Sequence, residues 1–257
     1  MESLSSSSAS ASSPRKRRRV GGGPTDEEVA EDGELLSSVV VFAHGAGAPS
    51  SSEWMVRWKR MIGEALHAVE VVTFDYPYIS GGKRRSPPKA EKLVEFHADI
   101  VRKAVAKYPG IPLILAGKSM GSRVSCMVAG EDGINASAIV CLGYPLKGIN
   151  GAIRDEVLLK LSVPVMFVQG TKDALCPLEK LDAVREKMAT ATELHVVDGG
   201  DHSFKIAKKH LQSLGSTQEA AEGQAVKSVA GFVEKIIQMQ TMDHQNKQYE
   251  LTISRNG

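Results

Sequence analysis

Short apolar runs alternate with longer amphipathic segments along most of this chain. The short runs are rich in Val, Ile and Leu, which is typical of strands that are buried on both faces of a sheet. Turn-forming residues stand near most of their ends. The pattern predicts six strands, at residues 38–43, 69–74, 112–116, 137–142, 163–169 and 193–197.

The longer segments between these runs place apolar residues at helical spacing. They predict helices at residues 53–67, 89–107, 122–130, 177–188 and 220–240, and one short helix within 151–161. Alternating strands and helices indicate an α/β domain whose mostly parallel sheet is covered on both faces. We expect this domain to span residues 36–242. The polar residues 243–257 are expected to form a tail that frays.

The first 35 residues differ in composition from the rest. A Ser/Ala-rich stretch is followed by a basic run and then by an acidic stretch, and too few apolar residues are present to form a core, which predicts disorder. The basic run is typical of a nuclear localisation signal read by an import receptor, and it consists of Arg15, Lys16, Arg17, Arg18 and Arg19. A plastid transit peptide is the alternative, although such peptides contain few acidic residues and disperse their arginines. We therefore expect a protein of nucleus and cytoplasm.

Composition excludes several classes of protein. A net charge of +2 is too small for a protein that coats nucleic acid. The three cysteines are too few and too scattered for a disulfide framework or a zinc site. No run of 18 apolar residues is present, so no transmembrane helix is expected. We expect neither a metal nor a cofactor.

Residues 117–121 carry the strongest functional signal. They read Gly-Lys-Ser-Met-Gly and lie between a predicted strand and a predicted helix. Gly-x-Ser-x-Gly in this context is typical of a nucleophile elbow, which lifts a serine hydroxyl above the sheet. Gly117 and Gly121 leave room where a side chain would crowd the neighbouring strand and helix. The motif predicts Ser119 as the nucleophile.

An acid and a base follow in the chain order Ser, Asp, His, which is the order of the α/β-hydrolase fold. Ligands of such sheets bind outside the carboxyl ends of the strands. Asp173 follows the fifth predicted strand, and His202 follows the sixth. Asp198 and Asp201 share the loop of His202 and remain alternatives for the acid. Asp173 is preferred because neighbouring residues such as Asp201 and His202 rarely present their side chains to one another.

The first predicted strand ends in His-Gly-Ala-Gly at residues 44–47, the position of an oxyanion-hole loop. One donor is expected from the N–H of Met120. The second is expected from Ala46, with Gly45 or Gly47 as alternatives. His44 is expected to hold this loop by hydrogen bonds rather than to act as a base.

Several residues are candidates for shaping the substrate site. About twenty residues separate the fourth and fifth predicted strands, which is too few for a large cap domain, so an open site is expected. Lys118 and Cys176 are expected to have structural roles. The candidates to line the site are Tyr76, Tyr144, Lys83, Arg84 and Arg85. The three cations attract either an anionic substrate or an acidic partner, or else they form a solvated loop.

Taken together, the motifs resemble a known family. They lie at residues 43–47, 74–78, 83–88, 117–123, 142–145, 169–173 and 199–203. The chain resembles, over about residues 37–240, the small α/β-hydrolase-like proteins grouped with testis-expressed protein 30 and with the hydrolase-like third subunit of the NSL histone acetyltransferase complex. Dienelactone hydrolases are more distantly similar. The resemblance implies the hydrolase fold and matches Ser119, Asp173 and His202 to the triad positions.

Two functions compete at this point. One is a soluble serine hydrolase that cleaves a small ester, thioester or amide through an acyl-enzyme. The other is a hydrolase-fold protein without catalysis that acts in a nuclear, chromatin-associated complex, as one branch of the similar family does. The complete set of Ser119, Asp173, His202 and the glycine-rich loop favours the enzyme, because a site without catalysis has no need of all of them.

Overall fold

The computed structural model describes residues 37–80, 86–148 and 150–256. Within these residues the apolar runs form a parallel sheet of six strands. They are β1 (Ser38–Ala43), β2 (Ala68–Phe74), β3 (Leu113–Lys118), β4 (Ala138–Leu142), β5 (Val165–Gly170) and β6 (Thr192–Val197). The order across the sheet is β2-β1-β3-β4-β5-β6. The direction of winding therefore reverses between β1 and β3, where folds of this type place their ligands.

Helices cover both faces of the sheet, as the alternating pattern predicts. They are α1 (Glu53–Ala65), α2 (Val94–Lys107), α3 (Met120–Val128), α4 (Leu178–Arg185), α5 (Lys208–Ser213) and α6 (Gln218–Asn256). Two 3-10 turns lie at Ala90–Leu93 and Leu158–Lys160. The predicted α/β-hydrolase fold is confirmed, and the described part of the chain contains no large cap.

Alternate residues of each strand enter two separate cores. Val39 and Val41 of β1 pack with the side of the sheet that α2, α3 and α4 cover. Val40 and Phe42 pack with the other side, which α1 and α6 cover. All four side chains are fully buried. This two-sided burial explains why the strands read as continuous apolar runs instead of alternating with polar residues.

The elbow begins later and its helix earlier than predicted. β3 continues through Lys118, because that residue still pairs with Leu142 of β4. The helix then starts at Met120, directly after Ser119. The turn between strand and helix is therefore a single residue, which a propensity argument does not locate.

Other predicted bounds differ in the polar segments. The helix predicted within 151–161 is only the 3-10 turn at Leu158–Lys160. Helix α5 was not predicted, since its six residues are too few to show a periodic pattern. Helix α6 continues to Asn256, beyond the end at residue 240 that the sequence predicts. No Gly or Pro interrupts residues 232–256, so nothing in this segment breaks the helix.

Some predictions concern residues that the structure does not describe. The N-terminal tail of residues 1–35, with the basic run at 15–19, lies outside the described ranges. The cations Lys83, Arg84 and Arg85 do so as well.

Candidate active site

Ser119 occupies the turn between β3 and α3, at the carboxyl edge of the sheet. Its backbone has φ +52° and ψ −116°, a conformation that costs a non-glycine residue of order 1–3 kcal/mol. Hydrogen bonds on both sides hold this turn. The Ser119 N–H donates to the Leu142 carbonyl at 3.0 Å, and the Ser122 N–H donates to the Ser119 carbonyl at 3.0 Å. The surrounding backbone therefore maintains the strained turn that raises the hydroxyl.

Gly117 and Gly121 are required by the close approach of backbone at this turn. A Cβ on Gly117 would lie 2.3 Å from the Ser122 nitrogen, and one on Gly121 would lie 2.5 Å from the Ala43 oxygen. Both distances are far below van der Waals contact. Any side chain at either position would force the elbow away from β1 or from its own helix.

Ser119, His202 and Asp173 form one continuous chain of hydrogen bonds. His202 Nε2 lies 2.8 Å from Ser119 Oγ, and His202 Nδ1 lies 2.7 Å from Asp173 Oδ2. The carboxylate accepts from Nδ1–H, which leaves Nε2 unprotonated and facing the serine hydroxyl. This arrangement can move a proton from the hydroxyl to the imidazole while a charge partner stabilises the imidazolium.

Asp173 is buried and fully engaged. Its Oδ1 accepts a hydrogen bond from the Leu175 N–H at 2.9 Å, and its Oδ2 accepts one from Gln169 Nε2 in addition to that from His202. Burial by itself raises the pKa of this carboxyl, but the hydrogen bonds and the charge of His202 outweigh burial and lower the pKa below its ordinary value. The group is therefore ionised at neutral pH, as an orienting carboxylate must be.

The two alternative acids have other partners. Asp201 Oδ1 accepts hydrogen bonds from the N–H groups of Ser203 and Lys205, at 2.8 and 2.9 Å. Asp201 therefore holds the turn of its own loop. Asp198 is exposed and pairs with His210 Nε2 at 2.8 Å. The structure brings only Asp173, of these three carboxylates, to hydrogen-bonding distance of His202.

Close backbone contact brings the loops of Asp173 and His202 together. A Cβ on Gly170, the last residue of β5, would lie 2.2 Å from the Gly200 carbonyl oxygen. The Lys172 N–H donates to the same oxygen at 2.8 Å. Sequence reasoning did not assign Gly170 a role, because only the paired loops show why a side chain is excluded there.

The predicted oxyanion-hole groups meet at the reversal point of the sheet. Met120 is the first residue of α3, so its N–H has no acceptor within the helix. Ala46 lies beside Ser119 and Met120 along the same cleft. The Gly45 carbonyl accepts from His44 Nδ1 at 2.6 Å and from the Tyr78 hydroxyl at 3.4 Å. Since a trans peptide directs its C=O and N–H oppositely, the Ala46 N–H points away from those two side chains.

His44 is a buried support of this loop, as predicted. Its Nδ1–H donates to Gly45, and its Nε2 accepts the N–H of Tyr76 at 3.0 Å. Burial lowers the pKa of His44, which keeps the ring neutral and suits one donated and one accepted bond. Tyr78 adds a further hydrogen bond from its hydroxyl to the Ala46 carbonyl at 3.3 Å. Tyr78 was not singled out as a site residue. It lies only two residues after the candidate Tyr76, but its place in the sequence does not reveal a contact with Ala46.

Lys118 is the site residue whose role the sequence did not show. It is buried beside Ser119, and its Nζ donates a hydrogen bond to the backbone carbonyl of His202. The same ammonium lies 5.5 Å from the ring centres of both Trp54 and Phe204. Burial lowers the pKa of Lys118 to about 8, although nearby carboxylates oppose this. Lys118 thus ties the loop of His202 to the elbow itself.

A cleft of about 850 Å³ opens beside Ser119, Met120 and Ala46. The expectation that Tyr76 and Tyr144 line the substrate site is wrong, because both side chains are fully buried. The Tyr76 hydroxyl lies 3.2 Å from His97 Nδ1, and the Tyr144 hydroxyl donates to the Arg154 carbonyl at 3.1 Å. Cys176 is also buried, which raises the pKa of its thiol to about 12. Tyr76, Tyr144 and Cys176 therefore belong to the core beneath the site and do not line the cleft.

The described residues contain no group of three or more His, Cys, Asp or Glu side chains that is arranged to hold a metal ion. Within those same ranges, no helix combines the length and the apolar character needed to cross a membrane.

Comparison with known proteins agrees with this fold. Residues 37–234 match the family model described as an alpha/beta hydrolase domain. An esterase from Pyrococcus furiosus superposes with a TM-score of 0.58 at 16% identity, over 77% of this chain and 81% of that chain. Est1E of Butyrivibrio proteoclasticus with bound ferulic acid gives 0.56 at 18% identity, over 80% and 92%. An α/β serine hydrolase without a lid from Xanthomonas campestris gives 0.54 at 14% identity, over 79% and 82%. On the strength of the match over residues 37–234, this chain belongs to the alpha/beta hydrolase domain family.

Proposed function

We propose that this protein is a serine hydrolase that cleaves a small ester, thioester or amide through an acyl-enzyme. The observation that carries the proposal is the hydrogen-bonded chain from Ser119 through His202 to Asp173. The motifs of the sequence further support a place among the small hydrolase-like proteins grouped with testis-expressed protein 30 and the third NSL subunit.

The first half-reaction uses the proton path of this chain. Ser119 Oγ attacks the substrate carbonyl carbon while His202 Nε2 takes the hydroxyl proton. The ionised Asp173 stabilises the imidazolium that forms. When the tetrahedral intermediate collapses, the bond to the leaving group breaks, and His202 returns the proton to that group. The acyl group is then bound to Ser119 Oγ.

The second half-reaction repeats these steps with water. His202 Nε2 removes a proton from the water as it attacks the acyl carbon, and then gives the proton back to Ser119 Oγ. In both halves the negative oxygen lies near the N–H groups of Met120 and Ala46. Donors of this kind, fixed before the reaction begins, are worth roughly 3–4 kcal/mol of transition-state stabilisation each.

The cleft supports a small substrate that needs no lid. It is open to solvent along one side, and the described part of the chain holds no cap over it. Apolar walls from Pro145, Ala174 and Leu175 lie close to Ser119. Such a cleft suits a short acyl or alcohol part better than a long lipid chain.

Labelling with a fluorophosphonate tests the proposal without knowledge of the natural substrate. Wild-type protein is expected to be labelled at Ser119, and Ser119→Ala is expected to give no signal. Ser213→Ala serves as the matched control, because Ser213 is exposed on α5 and its hydroxyl donates to the His210 carbonyl of its own helix. Equal labelling of wild type and Ser119→Ala, or none in wild type, would favour the competing function as an interaction protein of a nuclear complex.

A further inference from the structure

Cations outnumber anions among the charged residues that line the cleft beside Ser119. Among the described residues that line it, the side chains of Lys89, Arg123, Lys147 and Arg154 are cationic, and that of Glu91 is anionic. The whole chain carries a net charge of only +2, so this excess of positive charge is local. A concave wall of one sign raises the local concentration of ligands of the opposite sign.

Arg123 lies one helical turn from Ser119, and its backbone N–H donates to the Ser119 carbonyl at 3.3 Å. Its side chain is 15% exposed, and its Nε is buried without a hydrogen-bond partner. Its ion pair with Glu91 spans 3.4 Å, and the Glu91 side chain is 60% exposed. A long pair with an exposed carboxylate contributes little, so Arg123 retains most of its capacity to bind an anion.

Arg154 presents a second guanidinium to the same cleft. Its loop is held by the Arg154 N–H, which donates to the Leu146 carbonyl at 2.8 Å. A Cβ on Gly148 would lie 3.2 Å from Arg154 Nε, so the guanidinium packs along its own loop. No carboxylate among the described residues forms an ion pair with Arg154 within 4.0 Å. Desolvation, followed by the charge of Arg123, lowers the pKa of Arg154.

Tyr144 contacts both the backbone of Arg154 and the side chain of Arg123. Its buried hydroxyl donates to the Arg154 carbonyl at 3.1 Å, and the Arg123 guanidinium lies beside the same hydroxyl. Two neighbouring guanidiniums repel each other, and an anion placed between them removes that repulsion. Arginine is suited to this task because its planar fork binds carboxylate or phosphate with two parallel hydrogen bonds.

The distance along α3 between Ser119 and Arg123 limits how far the bound anion lies from the bond that reacts. Four residues of helix rise about 6 Å, so Arg123 begins one turn away from the hydroxyl. The same cleft is also lined by the apolar side chains of Met120, Pro145 and Leu175. A short hydrocarbon link fits this stretch and joins the reacting carbonyl to a charged end.

We propose that Arg123 and Arg154 bind the carboxylate or phosphate of an anionic ester or thioester substrate, a few bonds from the carbonyl that Ser119 attacks. The proposal rests on the hydrolase function proposed above and names its substrate class. Lys147 and Lys89, which also line the cleft, add to its positive field, and Glu91 competes only weakly with the substrate anion for Arg123.

Matched ester pairs test the charge preference. On the acyl side, mono-4-nitrophenyl glutarate is compared with 4-nitrophenyl pentanoate, which has the same number of acyl carbons. On the alcohol side, 4-acetoxybenzoate is compared with its methyl ester. In at least one pair, kcat/KM of wild type is expected to favour the anion by about tenfold or more, as two charge-assisted contacts allow. Equal values in both pairs would overturn the proposal.

Variants assign the preference to residues. Arg123→Gln/Arg154→Gln is expected to reduce the ratio of kcat/KM, anionic over neutral, by about tenfold or more. Glu91→Gln is expected to raise it modestly, because a weakly competing carboxylate is removed. Lys103→Gln is the matched control, since Lys103 is exposed on α2 away from the cleft. A ratio that is unchanged in the double variant, or that is unchanged or lower in Glu91→Gln, contradicts the assignment. If the double variant does not fold by circular dichroism, Arg154→Gln alone is used.

Equilibrium binding separates this inference from the hydrolase proposal. Glutarate and inorganic phosphate are titrated by calorimetry into full-length Ser119→Ala, with and without the two arginine substitutions. Binding that requires the arginines supports the anion site even if no ester is cleaved, and then only the hydrolase proposal fails. The relative affinities for glutarate and phosphate distinguish a carboxylate from a phosphate substrate. No binding of either anion to Ser119→Ala, together with efficient cleavage of neutral esters, overturns the anion site and leaves the hydrolase proposal standing.

Discussion

Nδ1 of His202 lies 2.7 Å from Oδ2 of Asp173, although 29 residues separate the two along the chain. They hang from neighbouring strands, β5 and β6, whose carboxyl-end loops meet where Gly170 touches the Gly200 carbonyl. The contact determines which imidazole nitrogen carries the proton, and hence which one faces Ser119. The contact between the loops after β5 and β6 thereby controls the chemistry of Ser119, which follows β3.

Asp173→Asn is expected to reduce kcat on a cleavable ester by roughly 10⁴-fold, the loss that the equivalent change causes in another serine hydrolase. An amide favours the wrong imidazole tautomer while leaving the shape of the site intact. Asp198→Asn, an exposed acid with other partners, is expected to change kcat little. Asp201→Asn is expected to have an intermediate, structural effect, because its oxygen holds two backbone N–H groups. The measurement is steady-state hydrolysis at neutral pH. A larger loss in Asp201→Asn than in Asp173→Asn would transfer the acid to the loop of His202.

Lys118 is expected to make stability depend on pH in the alkaline range. Its pKa is lowered to about 8 in the folded protein, whereas an exposed lysine titrates at about 10.4. Between these values the unfolded chain binds more protons than the folded one, so the contribution of this group to stability rises with pH. The free energy of unfolding of wild type, minus that of Lys118→Met, is therefore expected to increase from pH 8 to pH 10.

Urea unfolding of both proteins at several pH values measures this difference, and Lys103→Met controls for the general effect of losing one lysine. A difference that is flat across the range would show that the ammonium is hydrated in the folded state.

Kinetic measurements on Lys118→Met test the second role of Lys118. Loss of its bond to the His202 carbonyl is expected to lower kcat more than it raises KM, because His202 acts in the chemical step.

The sequence predicted the six strands and the chain order of Ser, Asp and His. It also predicted the three side chains that the structure joins by hydrogen bonds, because each of these features depends on a local pattern. The Gly-x-Ser-x-Gly motif predicts Ser119, and Asp173 and His202 follow predicted strands. Lys118 could not be interpreted in the same way. Its surroundings come from Trp54 on α1 and Phe204 in a distant loop, and nothing near residue 118 indicates either.

The errors in the predicted site have a related cause. Tyr76 follows a strand on the catalytic edge, which made it a candidate for the substrate site. Its ring instead packs edge-on against His44, at 4.9 Å between centres. Whether a side chain turns to the cleft or to the core depends on which neighbours leave space, and a single sequence does not contain that information.

We propose that the basic run at residues 15–19 directs the protein to the nucleus. Five consecutive cations after a proline are typical of a basic cluster that an import receptor binds as a nuclear localisation signal. Replacing all five with alanine is expected to release a fluorescent fusion into the cytoplasm, as judged by microscopy. Replacing the separate pair Lys208 and Lys209 is the control and is expected to leave the location unchanged. A plastid location, or nuclear accumulation without the five cations, would contradict the proposal.

Tyr78→Phe is expected to lower kcat by about tenfold, a fraction of the 10²–10³ that loss of a whole oxyanion donor costs. The Tyr78 hydroxyl bonds to the carbonyls of both Gly45 and Ala46, at 3.4 and 3.3 Å. Without it, His44 restrains the Gly45 carbonyl with no help from Tyr78, and the peptide that presents the Ala46 N–H is held less firmly. The lost interaction acts mainly in the transition state, so KM is expected to change less than kcat.

Two controls make this prediction specific to the loop. Tyr108→Phe removes a hydroxyl from a tyrosine at the end of α2, outside the site, and is expected to leave kcat unchanged. The rate of fluorophosphonate labelling of Tyr78→Phe is expected to fall in parallel with kcat, because the phosphonyl oxygen uses the same donors. The melting temperature is expected to change little, since the ring itself remains packed. If kcat and the labelling rate both stayed at the wild-type level, the loop that presents the Ala46 N–H would not depend on the Tyr78 hydroxyl, and the prediction would be wrong.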